Sequence, residues 1–222
     1  MEQTFVSVSA VIACHVCPLR YYLTKGIESA EPVRYTMTKQ LSYALGTAID
    51  ATELWKEIAL INPAVTEDDE TSFLSWTELC REQEWNRAEE YDVKVRSERL
   101  GVRGTIDRYC TEKPYISIVR SSEAPEAGIY QTDRIRAACL IAAANETLNT
   151  KTEEALIEYV PSGVTRTCVP QPRDRRLMMR AITAAQRVDA GILPKKPRGA
   201  PCETCELKDY CTPQPTPLSE RI

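Results

Sequence analysis

Only one histidine, His15, occurs in 222 residues. That scarcity excludes a His-Glu-x-x-His metalloprotease and a three-histidine zinc enzyme, and it leaves a Ser-His-Asp hydrolase only His15, which sits between two cysteines. Glycine is sparse at 8 residues and phenylalanine at 2, which argues against collagen-like repeats and a glycine-rich phosphate loop. No run approaches the ~20 apolar residues of a membrane span. Residues 1–13 lack the basic start and long apolar core of a secretory signal. What remains, 43% hydrophobic and 27% charged, is the composition of a globular chain. A chain this long buries roughly 70% of its unfolded surface, so one domain spanning residues 1–222 is expected.

Cysteine is the abundant oddity, with nine thiols at positions 14, 17, 80, 110, 139, 168, 202, 205 and 211. An odd count in a chain of this size makes a poor disulfide framework, so a reducing cytoplasm is expected, where clustered thiols read as metal ligands. Cys80, Cys110, Cys139 and Cys168 stand singly inside regular elements and read as core thiols. Cys202, Cys205 and Cys211 crowd into ten residues of a proline-rich tail that has no hydrophobic periodicity. Three thiolates on such a loop can converge on one centre, with a fourth supplied by the Cys14-His15-Val16-Cys17-Pro18 segment. Residues 192–215 are therefore expected to close onto residues 9–25. Four thiolates hold either zinc or a cubane iron-sulfur cluster, and the frequency of structural zinc sites with paired Cys-x-x-Cys leans the spacing to zinc.

Charge is uneven. Residues 51–90 carry eleven acids against three bases, whereas residues 166–198 carry nine bases against two acids. A basic C-terminal third can meet phosphates although the whole protein has a formal charge of −4. A solvated helix face is the alternative reading. Helical spacing runs over residues 36–60 and 66–91, the second opening with an acidic first turn. Polar/apolar alternation at residues 92–97, 102–110 and 115–120 predicts a three-strand meander. An alanine-rich helix over 130–148, strands at 155–160 and 164–169 and a helix over 173–190 complete an α/β (α+β) order, a sheet flanked by helices.

Two segments resemble a known family. Val8-Ser-Ala-Val-Ile-Ala-Cys-His-Val-Cys-Pro-Leu-Arg20 is similar to the opening of the Cas-four exonucleases of CRISPR systems, and Gly191-Ile-Leu-Pro followed by the three tail cysteines is similar to their closing signature. The resemblance implies a RecB-like PD-(D/E)XK nuclease core. It also implies a 4Fe-4S cluster on Cys17, Cys202, Cys205 and Cys211, with Cys14 spare, and so turns the expected cofactor from zinc to iron-sulfur. Gly104-Thr-Ile-Asp107 resembles the family's Gly-x-x-Asp, Gln131 stands where its helix glutamine does, and Gly46-Thr-Ala-Ile-Asp50 lies where it has Gly-x-x-x-His.

The departures from that pattern are chemical. Placing the family's Glu-x-Lys on the third strand puts Ile118 and Arg120 at those positions. Isoleucine cannot ligate a metal, and arginine can clamp a phosphate but cannot act as a base. Asp107 and Asp50 could still ligate Mg²⁺ or Mn²⁺, and Glu112, Glu123 and Glu126 are near enough in sequence to be considered as relocated carboxylates. The resemblance therefore implies a protein of spacer acquisition that binds DNA, expected single-stranded, with nuclease activity reduced or lost. Its partners would be CRISPR integrase proteins, with a homo-oligomer also open and no membrane association. Arg20, Arg173, Arg175, Arg176 and Arg180 are the expected phosphate contacts, and Tyr21, Tyr22 or Trp55 the stacking aromatics. Two alternatives stand beside it: an active metal-dependent exonuclease using Asp50, Asp107 and a relocated glutamate, and a zinc-stapled scaffold that contacts only proteins.

Overall fold

Period-two alternation places three successive strands side by side: β2 (Ala88–Ser97), β3 (Val102–Cys110) and β4 (Ile116–Arg120). They pair antiparallel, as the expected meander requires. β5 (Ala155–Tyr159) then joins β4 in parallel, and a parallel neighbour needs a crossover. The helix α6 (Gln131–Thr147) supplies it. β6 (Val164–Cys168) returns antiparallel to β5, and the two-residue β1 (Val6–Ser7) lies parallel to the start of β3. The mixed sheet has the order β1-β3-β4-β5-β6, with β2 on the remaining edge of β3. This is the expected α/β architecture. A computed structural model describes residues 5–27, 30–208 and 211.

Two apolar cores flank the sheet. The larger joins it to α1 (Val8–Val16), α6 and α7 (Pro172–Asp189), through Val11, Ile106, Ile135, Leu140 and Ile182. The smaller gathers α3 (Val33–Ala44), α4 (Ala51–Ile61) and α5 (Glu67–Arg81) around Met37, Leu41, Ile58 and Phe73. Each such side chain taken fully from water contributes about 1.5–3 kcal/mol. A short helix, α2 (Pro18–Thr24), links α1 to the rest.

The expected helix over 36–60 is two helices. Gly46 has φ +83°, and a Cβ there would stand 3.2 Å from the Asn86 carbonyl oxygen and 3.3 Å from that of Trp85. The chain turns at Gly46 because only glycine adopts that conformation against a passing backbone. The expected helix over 66–91 stops at Arg81, where the Trp85 indole N–H folds back onto the Cys80 carbonyl at 2.7 Å and satisfies one helix-end acceptor.

Gly163 gives a sharper test of a backbone requirement. Its φ is +58°, and an added Cβ would lie 2.6 Å from the Leu79 carbonyl oxygen. Gly163→Ala therefore combines left-handed strain with a backbone clash, an expected loss of about 2–4 kcal/mol. Gly128, also left-handed at φ +69° but with nothing within 4 Å, is the control. Gly128→Ala is expected to cost about 1 kcal/mol, the conformational part alone. Urea midpoints of the two variants check the difference.

Under the sheet's α3 side, Arg108 and Glu158 form a fully buried ion pair, both side chains 0% exposed. Arg108 also donates through Nη2 to the carbonyls of Leu45 and Asn86, each at 2.7 Å. That guanidinium ties the end of α3 and the strand-entry loop to β3. No helix among the described residues is long and apolar enough to cross a membrane.

Candidate nucleic-acid cleft and cysteine pocket

β2 covers one edge of β3 along its whole length. On the other edge, β1 pairs with Val102 and Arg103 and β4 with Arg108 and Tyr109, so residues 104–107 between them have no strand partner there. The gap opens a cleft of about 1010 Å³. Gly104 lets its walls approach: a Cβ there would meet Leu140 Cδ2 of α6 at 2.7 Å and Val8 Cγ2 of α1 at 2.8 Å. Five cations line the cleft, Lys94, Arg96, Arg103, Arg120 and Arg136, and among the described residues Asp107 is its one carboxylate.

Asp107 is held from two sides. Its Oδ2 accepts the Val119 backbone N–H at 2.9 Å, and its Oδ1 lies 3.5 Å from the Lys39 ammonium. Lys39 also donates to Asp92 Oδ1 at 2.5 Å, while the Tyr43 hydroxyl donates to Asp92 Oδ2 at 2.8 Å. The ladder pairs Tyr91 with Arg108 and Val93 with Ile106, so Asp92 stands across from Asp107. Asp92 has φ +55°, a conformation that aspartate tolerates better than most residues. Burial pushes the Asp107 carboxyl up, against the opposing pull of Lys39, the Val119 N–H and Arg136. Burial acts to lower Lys39, but Asp107 and Asp92 outweigh it and hold the amine above its ordinary value, fully charged.

The other side of the cleft is arginine. The pairing of Arg108 with Ser117 puts Asp107 across from Ile118, which is 0% exposed and presents only a butyl group. Arg120, two residues on, has Nε 2.7 Å from Asp133 Oδ1. Asp133 is itself buried and accepts the Tyr159 hydroxyl at 2.9 Å. Arg136 stands one turn along α6. Burial and then the like charge of Arg120 pull its pKa down, and its Nε is buried without a hydrogen-bond partner. Two guanidinium groups set together in one cleft make a place for an anion.

Several sequence-derived residues lie elsewhere. Asp50 caps α4, accepting the Glu53 N–H at 3.0 Å, and is exposed and absent from the cleft wall. The break at Gly46 is the reason: Asp50 starts a new helix instead of continuing the one that faces Asp107, and α3 sends Tyr35 and Lys39 there instead. Gln131 is exposed at the start of α6, which contributes Arg136 to the cleft. Arg120 is in the wall with Asp107. Glu112, Glu123 and Glu126 do not line it, and Glu123 faces Arg34 at 3.6 Å. The carboxylate that lies across from Asp107 is Asp92, which shares Lys39 with it. Arg173, Arg175, Arg176 and Arg180 occupy the exposed face of α7, whose other face is core, so they form a second basic surface outside the cleft. Tyr21 and Tyr22 pack on the larger core and Trp55 on the smaller, leaving Tyr35 as the aromatic at the cleft.

Cys17, Cys202, Cys205 and Cys211 line one pocket between the α1–α2 junction and the tail. Cys17 sits there because it caps α2, its Sγ accepting the Arg20 N–H at 3.4 Å ahead of Pro18. The tail thiols are set by successive tight turns, Lys208 N–H to Cys205 and Cys211 N–H to Leu207. Arg20, Lys196 and Lys208 stand around the same pocket. Residues 209, 210 and 212–215 of the expected cysteine segment lie outside the described residues. The other five thiols are buried core. Burial pushes Cys14, Cys80 and Cys139 up to about 12 and Cys110 and Cys168 to about 11, so none offers a ready thiolate.

The four pocket thiols fit a cluster by donor chemistry. Soft thiolates suit iron-sulfur or zinc, and three surrounding cations offset the negative charge of a tetrathiolate centre. Among the described residues no group of three or more His, Cys, Asp or Glu side chains is placed to hold a metal ion.

No known protein-family description matches the chain, and no curated protein sequence does. A solved structure does: the Eubacterium rectale protein named "Putative exonuclease" superposes with a TM-score of 0.61 at 12% identity, over 99% of this chain and 92% of that one. At that identity the two share a fold.

Proposed function

We propose that this protein is a nuclease-fold DNA-binding protein that grips single-stranded DNA in the β3 cleft without cutting it. It carries a 4Fe-4S cluster on Cys17, Cys202, Cys205 and Cys211. The observation that carries the reading is the charge of the cleft: five cations face it against one carboxylate, and that carboxylate is already engaged by Lys39. Backbone phosphates would meet Arg136, Arg103, Arg96 and Lys94, and an unpaired base can stack on Tyr35. The cluster, when bound, staples the proline-rich tail to α2. The resemblance of the two terminal segments to Cas-four proteins supports a place in spacer acquisition beside the integrase, and the fold shared with an exonuclease-named protein agrees with it.

Divalent-metal hydrolysis fits less well. It needs at least two carboxylates facing the ion and a group to position water. Ile118 supplies neither, and Asp50 is on another helix. A second reading has one observation behind it: Asp92 lies across from Asp107, so two carboxylates do share Lys39. An exonuclease built on that pair would be inhibited by Asp107→Ala.

The test is anaerobic purification followed by two assays. The expected preparation is brown, absorbs near about 400 nm and holds about four iron and four sulfide per chain. It binds labelled single-stranded DNA and leaves it intact with Mn²⁺. A colourless, zinc-containing protein that ignores DNA would instead be the protein-contacting scaffold. Cleavage that disappears in Asp107→Ala would establish the active enzyme.

A further inference from the structure

We infer that the Lys39 ammonium occupies the place a divalent cation would take between Asp92 and Asp107, so that the cleft is a metal-free site for a polyanion. Asp92 and Asp107 lie across from each other on adjacent antiparallel strands. Like charges so placed repel unless a cation sits between them. Lys39 is that cation, 2.5 Å from one carboxylate and 3.5 Å from the other, with its ammonium 5.1 Å from the Tyr43 ring centroid.

Lys39 is also well fixed. Its side chain is 12% exposed, and it extends from a helix anchored by the fully buried Met37 and Leu41. An incoming ion would have to displace it and would find few ligands. Asp107 Oδ2 is committed to the Val119 N–H, and Ile118 offers no oxygen. Mg²⁺ is usually anchored by one or two carboxylates, and Lys39 already holds the two that stand here.

Charge counting points the same way. Asp92, Asp107 and Asp133 carry three negative charges, and Lys39, Arg120 and Arg136 carry three positive ones. The group is neutral as it stands, so a dication would leave two uncompensated charges in a partly buried site. An anion is favoured instead by the cations beyond this group. Arg136 has no ion-pair partner among the described residues, and Arg103, Arg96 and Lys94 continue the positive wall outward. A chain of phosphates can therefore enter without any metal.

The inference rests on the cleft being the nucleic-acid site, and its test separates the two. Full-length anaerobic protein is titrated with Mn²⁺ and bound metal is read by electron paramagnetic resonance. Wild type and Lys39→Arg are expected to bind no Mn²⁺ at this site at millimolar metal. Lys39→Met is expected to bind it at least about tenfold more tightly, since one nearby positive charge is gone. Adding Asp107→Asn to Lys39→Met should abolish the gain. Lys39→Gln replaces the methionine variant if circular dichroism shows that variant unfolded.

Wild-type Mn²⁺ binding that Asp107→Asn removes overturns the inference. So does a folded Lys39→Met or Lys39→Gln with no gain. In parallel, wild-type affinity for a single-stranded oligonucleotide should be the same within twofold in EDTA and in Mg²⁺, and a requirement for Mg²⁺ would overturn the inference. Absence of DNA binding in both would defeat the nucleic-acid reading, while the Mn²⁺ result would still decide the role of Lys39.

Discussion

Arg136→Ala is expected to lower affinity for single-stranded DNA by about tenfold or more, one of the largest effects of any cleft substitution. The reason is its environment. A surface arginine that meets a phosphate exchanges one hydrated contact for another, and its loss costs little. Arg136 is held in the cleft beside a like charge, with a buried Nε that has no partner. A phosphate reaching the guanidinium would add a charge-assisted hydrogen bond and a counter-charge beyond those of Asp133 and Asp107. Charge-assisted bonds of this kind are worth about 1.5–3 kcal/mol, or roughly 10- to 150-fold. Arg136→Lys should recover only part, because an ammonium lacks the planar fork.

The salt dependence gives an independent readout. Removing one phosphate contact should lower the slope of log affinity against log salt by about 0.7 for single strands. Arg176→Ala, on the exposed face of α7, is the comparison. If DNA follows α7 instead of the cleft, Arg176→Ala will carry the larger loss and the cleft assignment fails. Fluorescence anisotropy at several salt concentrations distinguishes these outcomes.

The second large effect is on stability. Arg108→Ala should destabilise the fold by about 3–5 kcal/mol, because it leaves Glu158 as an uncompensated buried charge and strips two carbonyls of their donor. In a chain of this size that is a fall in melting temperature of roughly 10 °C. Replacing both partners, Arg108→Met with Glu158→Leu, should lose far less, since two desolvated charges leave together. Thermal melts of the three proteins test this, and an equal loss in the double variant would show that the guanidinium's backbone bonds carry the effect.

The pH dependence of Arg108→Ala follows from Glu158. Burial already pushes that carboxyl above its ordinary range, against Arg108 and Ser117, and the substitution removes the main opposing charge. A folded-state pKa above the unfolded one means the native state binds the extra proton. Stability is then lost as pH rises from about 4.3, the unfolded glutamate value, through the raised folded value. The deficit of Arg108→Ala should accordingly be smallest near pH 4 and grow toward neutrality.

Much of the architecture was legible in local pattern. Alternation marked β3 over residues 102–110, and the alanine-rich stretch marked α6 to within one residue at either end. The helix boundaries were harder. Gly46 is one glycine in a helical period, and only the approach of the 85–87 backbone shows why it must turn there. That one break decides the site, because it takes Asp50 away from Asp107 and leaves Lys39 facing it.

Sequence by itself determined the fold class, the separation of tail thiols from core thiols, Asp107 three residues after the glycine of its strand, and the absence of a carboxylate at Ile118. Each depends on residues near one another in the chain, where period and spacing carry the information. Only the tertiary structure decided which groups meet around Asp107. Lys39, Asp92, Asp107 and Arg136 come from four different elements, none carries a local signature, and their meeting depends on strand register and helix packing. The same physics brought Cys17 to the tail cysteines and kept the arginines of α7 apart from the cleft: a side chain's neighbours across a fold are set by what is buried behind it.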